Sequence, residues 1–275
     1  YNAYLDTKAI EAAGLAPASA DLALIAAARS HEDVARLMGD PELGLGGPLS
    51  LTPWPDAANP DRYAINIVQS GLSLPDRDFY LKTDPRSVEV RARFRSYAAR
   101  MLALDHYPDP EAAADNVLAL ETAIARAHWT REKRAERDLT YHPKSRAELK
   151  AFAPDYPWDA TLDALGIARH DFYVLKEDSA IRELAGLFGR TPVATWRAYM
   201  TFHYLNGMAD VLPAAFDDLS FDFNGRVLSG LPQKRERWKR ATVALNAALG
   251  EAVGQRYVQR HFTPDAKVQI TALVE

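Results

Sequence analysis

The sequence predicts a mainly α-helical protein, a multi-helix lobe with one small β-hairpin. Three observations predict it. Helix caps recur along the chain, apolar residues recur three and four apart in most segments, and one stretch alternates with period two. The chain has 275 residues, of which 48% are hydrophobic and 25% charged, a globular composition. Its formal charge of −4 argues against a nucleic-acid partner, which needs a basic face to neutralise phosphates. No apolar run approaches the ~18 residues of a membrane span. The absence of cysteine excludes disulfides, thiolate zinc sites and Cys-held iron–sulfur clusters.

The elements follow in chain order. Residues 2–13 read as a helix ended by Gly14, and Ser19 begins a second that runs to about Ala28. Ser30 and Asp33 have the spacing of a capping box, opening a helix that stops near Gly39. Residues 39–48 are a glycine-rich loop. It matches neither phosphate-binding pattern, because no strand precedes it and no Lys-Ser/Thr follows. A hairpin at about 49–68 is the only sheet expected. Its first strand, 49–54, alternates poorly, while in 63–68 Tyr63, Ile65 and Ile67 share a face. The stretch between them, from Pro55 to Asp61, is turn chemistry.

After Gly71 the pattern is helical to the end. Pro85 opens a helix to about His106 with Val90, Phe94, Tyr97, Met101 and Leu104 on one stripe. Asp109-Pro110 opens another that runs past Trp129, with the stripe Val117, Leu120, Ile124 and Ala127. Ser145 with Glu148 forms a second capping box. Thr191 caps a helix with Pro192 at its first position, running to about Ala209 with Trp196, Tyr199, Met200 and Leu205 on its apolar face. A helix from about Pro232 reaches His261, and Thr263-Pro264 opens the last. The chain starts at Tyr1, not Met, and Glu275 falls within a helical pattern. Both suggest a piece of a longer protein.

Catalytic signals are weak. No two of the seven histidines stand three or four residues apart, the spacing a helical zinc site needs. His31-Glu32 begins like the His-Glu-x-x-His zinc motif, but Ala35 holds the fifth position. Gly71-Leu-Ser73 is half of a nucleophile elbow and lacks the second glycine. Arg131 to Arg137 alternates with Glu132 and Glu136, a mixed-charge helical face. Gln233 to Arg240 is more basic and includes Trp238. It reads as a helix start with the Trp packed inward, against the alternative of a single-strand nucleic-acid stripe.

Three segments carry a resemblance. Gly71-Leu-Ser-Leu-Pro-Asp-Arg-Asp-Phe-Tyr-Leu-Lys82 resembles the Gly-Leu-x-Leu-Pro-x-Arg-Asp-Tyr-Tyr signature of the neprilysin family of zinc endopeptidases. Leu228-Ser-Gly followed by Arg237-Trp-Lys-Arg240 resembles that family's Arg-Trp-x-Arg stretch. Residues Asn246 to Val258, then Phe262 to Lys267, match the helix that follows it. Shorter echoes lie at Ala9-Ile10, at Leu120-Glu121 with Ile124-Ala125, and at Tyr141 to Leu149. The order agrees over the whole chain, so the chain is identified as resembling a bacterial member.

The resemblance implies that residues 1–275 are the family's non-catalytic helical lobe, with an N-terminal part at 1–70 and a helical body at 71–275. The lobe would cover the catalytic chamber and limit substrates to oligopeptides. The family's zinc motif, third ligand and Asn-Ala-Tyr segment lie further C-terminal. No catalytic or zinc residue therefore carries over to any position here, and zinc would belong to the parent's catalytic domain. The positions that do carry over read as structural: Gly71, Leu74, Pro75, Arg77, Asp78, Arg237, Trp238, Arg240, Gly250 and Glu251. The implied partners are the protein's own catalytic zinc domain and peptide substrates, with no nucleic acid and no membrane span in this segment. The implied location is exported, periplasmic or extracellular. The alternative is a stand-alone helical module that binds peptides or proteins without cleaving them. Vertebrate members carry a disulfide between cysteines that align with Tyr4 and Ala241. The resemblance thus implies that these two positions are neighbours, held here by packing.

Overall fold

The structure, a computed structural model, describes residues 1–274, so the expectation at Glu275 lies outside the described residues. The first expected helix is two: α1 (Asn2–Leu5) and α2 (Thr7–Ala13). Asp6 causes the break. Its backbone leaves the helical region, and its carboxylate caps α2 by accepting from the Ala9 N–H at 3.0 Å. Next come α3 (Ser19–Ala27) and α4 (His31–Gly39). The Ser30/Asp33 capping box is present, each side chain accepting from the other's backbone N–H at 3.1 Å.

The strands are β1 (Leu49–Asp56) and β2 (Asn59–Gln69). They pair antiparallel, and the turn is tighter than expected because the Pro-rich stretch is itself mostly strand. The hairpin is not the whole sheet. Two three-residue strands, β3 (His142–Lys144) and β4 (Tyr173–Leu175), extend it to four strands in the order β1-β2-β4-β3. β4 runs parallel to β2, with Ile65 opposite Tyr173 and Ile67 opposite Leu175. β2 is therefore an inner strand. Ala64 to Ile67 are buried on both faces, while Tyr63, expected on the Ile65 face, is exposed where β2 pairs with β1 alone, outside the β4 register.

The helical body begins with α5 (Asp78–Leu81), α6 (Pro85–Leu104) and α7 (Pro110–Ala127). Asp84 and Asp109 cap α6 and α7, with proline at the first helical position of each. α7 stops at Ala127, short of Trp129, because the chain turns extended at His128. After α8 (Arg131–Ala135) come α9 (Arg146–Phe152), α10 (Trp158–Ala164), α11 (Asp178–Arg190) and α12 (Val193–Met208). The Ser145/Glu148 capping box is present at α9. Thr191 does not cap α12. Its hydroxyl donates back to the Leu187 carbonyl at 2.7 Å, and Pro192 takes the cap position.

α12 is the central helix, buried on nearly every side by Trp196, Tyr199, Met200, Phe202 and Leu205. Against it stands an aromatic cluster in which Tyr97 stacks on Phe223 at 4.8 Å and Phe94 meets Phe202 edge-on at 5.6 Å. Phe223 comes from a segment the sequence reading missed: after α13 (Ala214–Ser220) the chain widens into a π-helix over Phe221–Leu228. Gly225 permits this. A Cβ there would lie 2.4 Å from the Phe221 ring. One apolar core joins residues from Ala18 to Phe223 and includes both the 1–70 part and the helical body.

The final long helix is α14 (Arg237–His261), and α15 (Pro264–Val274) follows. α14 starts five residues later than Pro232 and is broken at Leu249, whose backbone is non-helical. Ala241 is its only buried residue.

Candidate functional site: a braced joint and a closed end

Residues 71–82 join the sheet to α6. Gly71 has φ +93°, and a Cβ there would lie about 3 Å from Pro48 Cα, the Gly47 carbonyl and the Tyr199 hydroxyl. The Tyr199 hydroxyl donates to the Gly71 carbonyl at 3.1 Å. Leu74 is buried, and its N–H donates to the Tyr80 hydroxyl at 2.8 Å. Pro75 follows and leads into the turn that starts α5. The Arg77 Nε donates to the Ala125 carbonyl at 3.1 Å, tying the joint to α7. Asp78 is a surface residue paired with Lys82 at 2.8 Å in its own turn and 3.9 Å from Arg77, so it does not brace the joint.

The brace is Glu121, fully buried on α7. One carboxylate oxygen accepts from Ser73 N at 3.0 Å and from the Tyr80 hydroxyl. The other accepts from Ser73 Oγ at 2.7 Å and meets His203 Nε2 at 2.9 Å. Burial first, then the adjacent Glu121 charge, pushes Tyr80 well above the ordinary phenol range, so its hydroxyl remains a donor. A serine, a histidine and a glutamate in contact invite comparison with a catalytic triad. The geometry excludes one. A triad places the acid and the nucleophile on opposite imidazole nitrogens. Here Ser73 and Glu121 both face Nε2, and Ser73 bonds to the acid directly. Sequence reasoning missed this group, although a signal was present. Glu121 falls inside the apolar stripe between Val117 and Ile124, and His203 falls one turn after Tyr199 on the buried face of α12.

The second cluster closes the ends of the lobe. Buried Asp217 accepts from both terminal nitrogens of Arg240 at 2.7 and 2.8 Å, with Lys234 at 3.0 Å. Burial pulls the Asp217 carboxyl upward, but the Arg240 and Lys234 contacts outweigh it and hold it below the usual carboxylate range. Arg237 Nε donates to the Tyr4 carbonyl at 2.6 Å, and its guanidinium lies 4.6 Å from the Tyr4 ring, with that of Arg240 at 5.9 Å. Tyr4 therefore sits on the turn that carries Ala241. Trp238 departs from expectation: it points outward, half-exposed, with Lys239 over its ring.

Beyond Ala241 the chain is an arm. Val243, Leu249, Tyr257, Val268 and Leu273 are all more than half exposed. Gly250 and Glu251 lie at its break, exposed to solvent. The imidazoles are used structurally: His31, His128, His142 and His170 each bond a backbone carbonyl. Among the described residues no three His, Asp or Glu side chains converge as metal ligands, so a zinc ion finds no fitting donor set in them. No single described helix is long and apolar enough to cross a membrane.

The model of peptidase family M13 matches residues 1–275. Human endothelin-converting enzyme 1 is 27% identical over 227 residues, covering 80% of this chain and 29% of the relative. Mouse endothelin-converting enzyme-like 1 is 26% identical over 231 residues, covering 82% and 30%. Among solved structures, the zinc metalloprotease Zmp1 of Mycobacterium tuberculosis in an open state superposes with a TM-score of 0.91 at 33% identity. It covers 99% of this chain and 43% of that one. The chain thus spans less than half the length of these relatives.

Proposed function

This chain belongs to peptidase family M13, and from that premise we propose that it is the non-catalytic helical lobe of a zinc metalloendopeptidase. The lobe covers a chamber in which the rest of the protein hydrolyses oligopeptides. The observation that carries this reading is the arm. A two-helix segment with the apolar side chains of Leu249, Tyr257 and Leu273 in water is an incomplete surface, and burying it against a further domain is its physical resolution. Zinc and the catalytic residues belong to that domain, because the described residues offer no converging ligand set. The braced joint and the Asp217 cluster are then structural, keeping the lobe rigid enough to exclude folded chains by size. Residues 1–275 act as one lobe, inactive alone, within an exported enzyme.

The test is peptide hydrolysis by the full-length protein and by this chain. The full-length protein should cleave short peptides and lose activity to chelators. Leu249→Asp with Tyr257→Asp should lower its activity while leaving the melting temperature of residues 1–275 unchanged. Chelator-sensitive turnover by the 275-residue chain alone would overturn the proposal. Peptide binding without turnover by the full-length protein would favour the stand-alone binding module.

A further inference from the structure

We propose that the cleft between the 69–77 joint and the segment that follows α7 is a binding site for a carboxylate group. The cleft holds about 190 Å³ and is lined by Arg77, Arg131 and Arg134, with Asp76, His128 and the backbone of Gly71. The three arginines share one arrangement. Each is fixed through Nε alone: Arg77 to the Ala125 carbonyl at 3.1 Å, Arg131 to Asp76 at 2.9 Å, and Arg134 to Glu177 at 2.8 Å. Among the described residues their terminal amino groups have no hydrogen-bond acceptor. The nearest acid to those of Arg77 is Asp78, at 3.9 Å.

An arginine held by Nε presents its amino edge in a fixed direction, and two N–H bonds from such an edge match the two oxygens of a carboxylate. Three edges on one cleft exceed the single lining acid, Asp76. Glu177 does not offset them, because it lies behind the cleft, almost fully buried, and is spent on Arg134 and the Gln69 N–H. His128 adds no charge at neutral pH, since burial lowers it to about 4. The volume suits a carboxylate with a few attached atoms, such as the end of a peptide or an acidic side chain. The site owes nothing to the zinc chemistry proposed above and is separable from it.

The experiment is calorimetric titration of the 275-residue chain at low salt. Three probes are used: N-acetylglycine for a terminal carboxylate, N-acetylglutamate α-amide for a side-chain carboxylate, and N-acetylglycinamide as the neutral control. At least one carboxylate should bind saturably and the neutral amide should not. The tighter of the two identifies the source. Arg131→Gln removes an exposed cation and should weaken binding about fourfold, the effect of one charge roughly 5 Å away in a watery site. Asp76→Asn keeps the acceptor for the Asp78 N–H and gives up the one for Arg131 Nε, but it removes the single lining acid and should still tighten binding by a similar factor. Opposite shifts cannot come from a general loss of fold, which thermal melting of each variant checks. Absence of saturation, equal binding of the neutral amide, or both variants moving affinity in one direction overturns the assignment.

Discussion

Removing the Glu121 carboxylate should destabilise this lobe more than removing any acid of its surface. The side chain is fully buried, and four contacts converge on it, from Ser73 N, Ser73 Oγ, the Tyr80 hydroxyl and His203 Nε2. Glu121→Ala leaves several of these donors in the core without an acceptor. Each orphaned polar group costs about 1–3 kcal/mol, and breaking a buried charged network typically totals about 3–5 kcal/mol. For a chain of this size that is a fall in melting temperature of roughly 6–20 °C. Glu121→Gln keeps one oxygen for the Ser73 N–H and the Tyr80 hydroxyl but turns an amide N–H₂ toward Ser73 Oγ and His203 Nε2, which must give up their donor roles to accept it. It should cost about 1–3 kcal/mol. Urea unfolding followed by circular dichroism measures both. Crossing Glu121→Gln with Tyr80→Phe should give a coupling of about 0.5–3 kcal/mol, since the pair is in direct contact. If Glu121→Ala unfolds within about 1 kcal/mol of the parent, the joint is held by apolar packing and the bracing argument is wrong.

Two further outcomes follow from local geometry. Gly71→Ala should cost about 2–4 kcal/mol, from a positive φ together with a Cβ pressed on Pro48 and Tyr199, whereas Gly14→Ala, at positive φ in open space, should cost only the strain of about 1–2 kcal/mol; equal denaturation midpoints for the two variants would contradict this. Burial lowers His128 to about 4 against about 6.5 in an unfolded chain, so the unfolded state takes up its proton first as pH falls, and stability should decline between about pH 6.5 and 4 by about 3 kcal/mol. His128→Gln should flatten that acid limb in urea midpoints collected across this range, and an unchanged slope would refute the assignment.

The legible parts of the fold were those set by local chemistry. Capping boxes at Ser30 and Ser145, and prolines after Asp84 and Asp109, act over three or four residues and are visible as such. What escaped was set by distant partners. Strands β3 and β4 are three residues each, too short to show a period, and β4 exists because β2 lies parallel to it from more than a hundred residues away. The π-helix at Phe221–Leu228 depends on a ring folding over Gly225, which no periodicity announces. The candidate site divides the same way. Gly71, Arg77 and Asp78 were visible as one motif, but Asp78 lies at the surface and the bracing acid is Glu121, because a motif shows adjacency and not depth. Glu121 could have been found only by asking why an acid interrupts the stripe from Val117 to Ala127.

The closure at Tyr4 shows how a lobe without cysteine keeps its ends together. A disulfide would constrain one pair of atoms; here the work is spread over several contacts. Arg237 holds the Tyr4 carbonyl, Arg240 is fixed in two-pronged fashion by Asp217, and Lys234 adds a third cation to the same acid. Arg237 and Arg240 each keep one buried nitrogen without a hydrogen-bond partner, and the tyrosine ring beside them is the electron-rich surface available to both. The ring thus does what an aliphatic side chain could not, since it offers a face that accepts the positive charge of both arginines on this turn. The same turn begins the exposed arm. Forces that pull on the arm are therefore transmitted first to a charged cluster set on a buried acid, not to the apolar core behind it. Such a cluster is directional, and each of its contacts weakens steeply with misalignment. It fixes the angle at which the arm leaves the body.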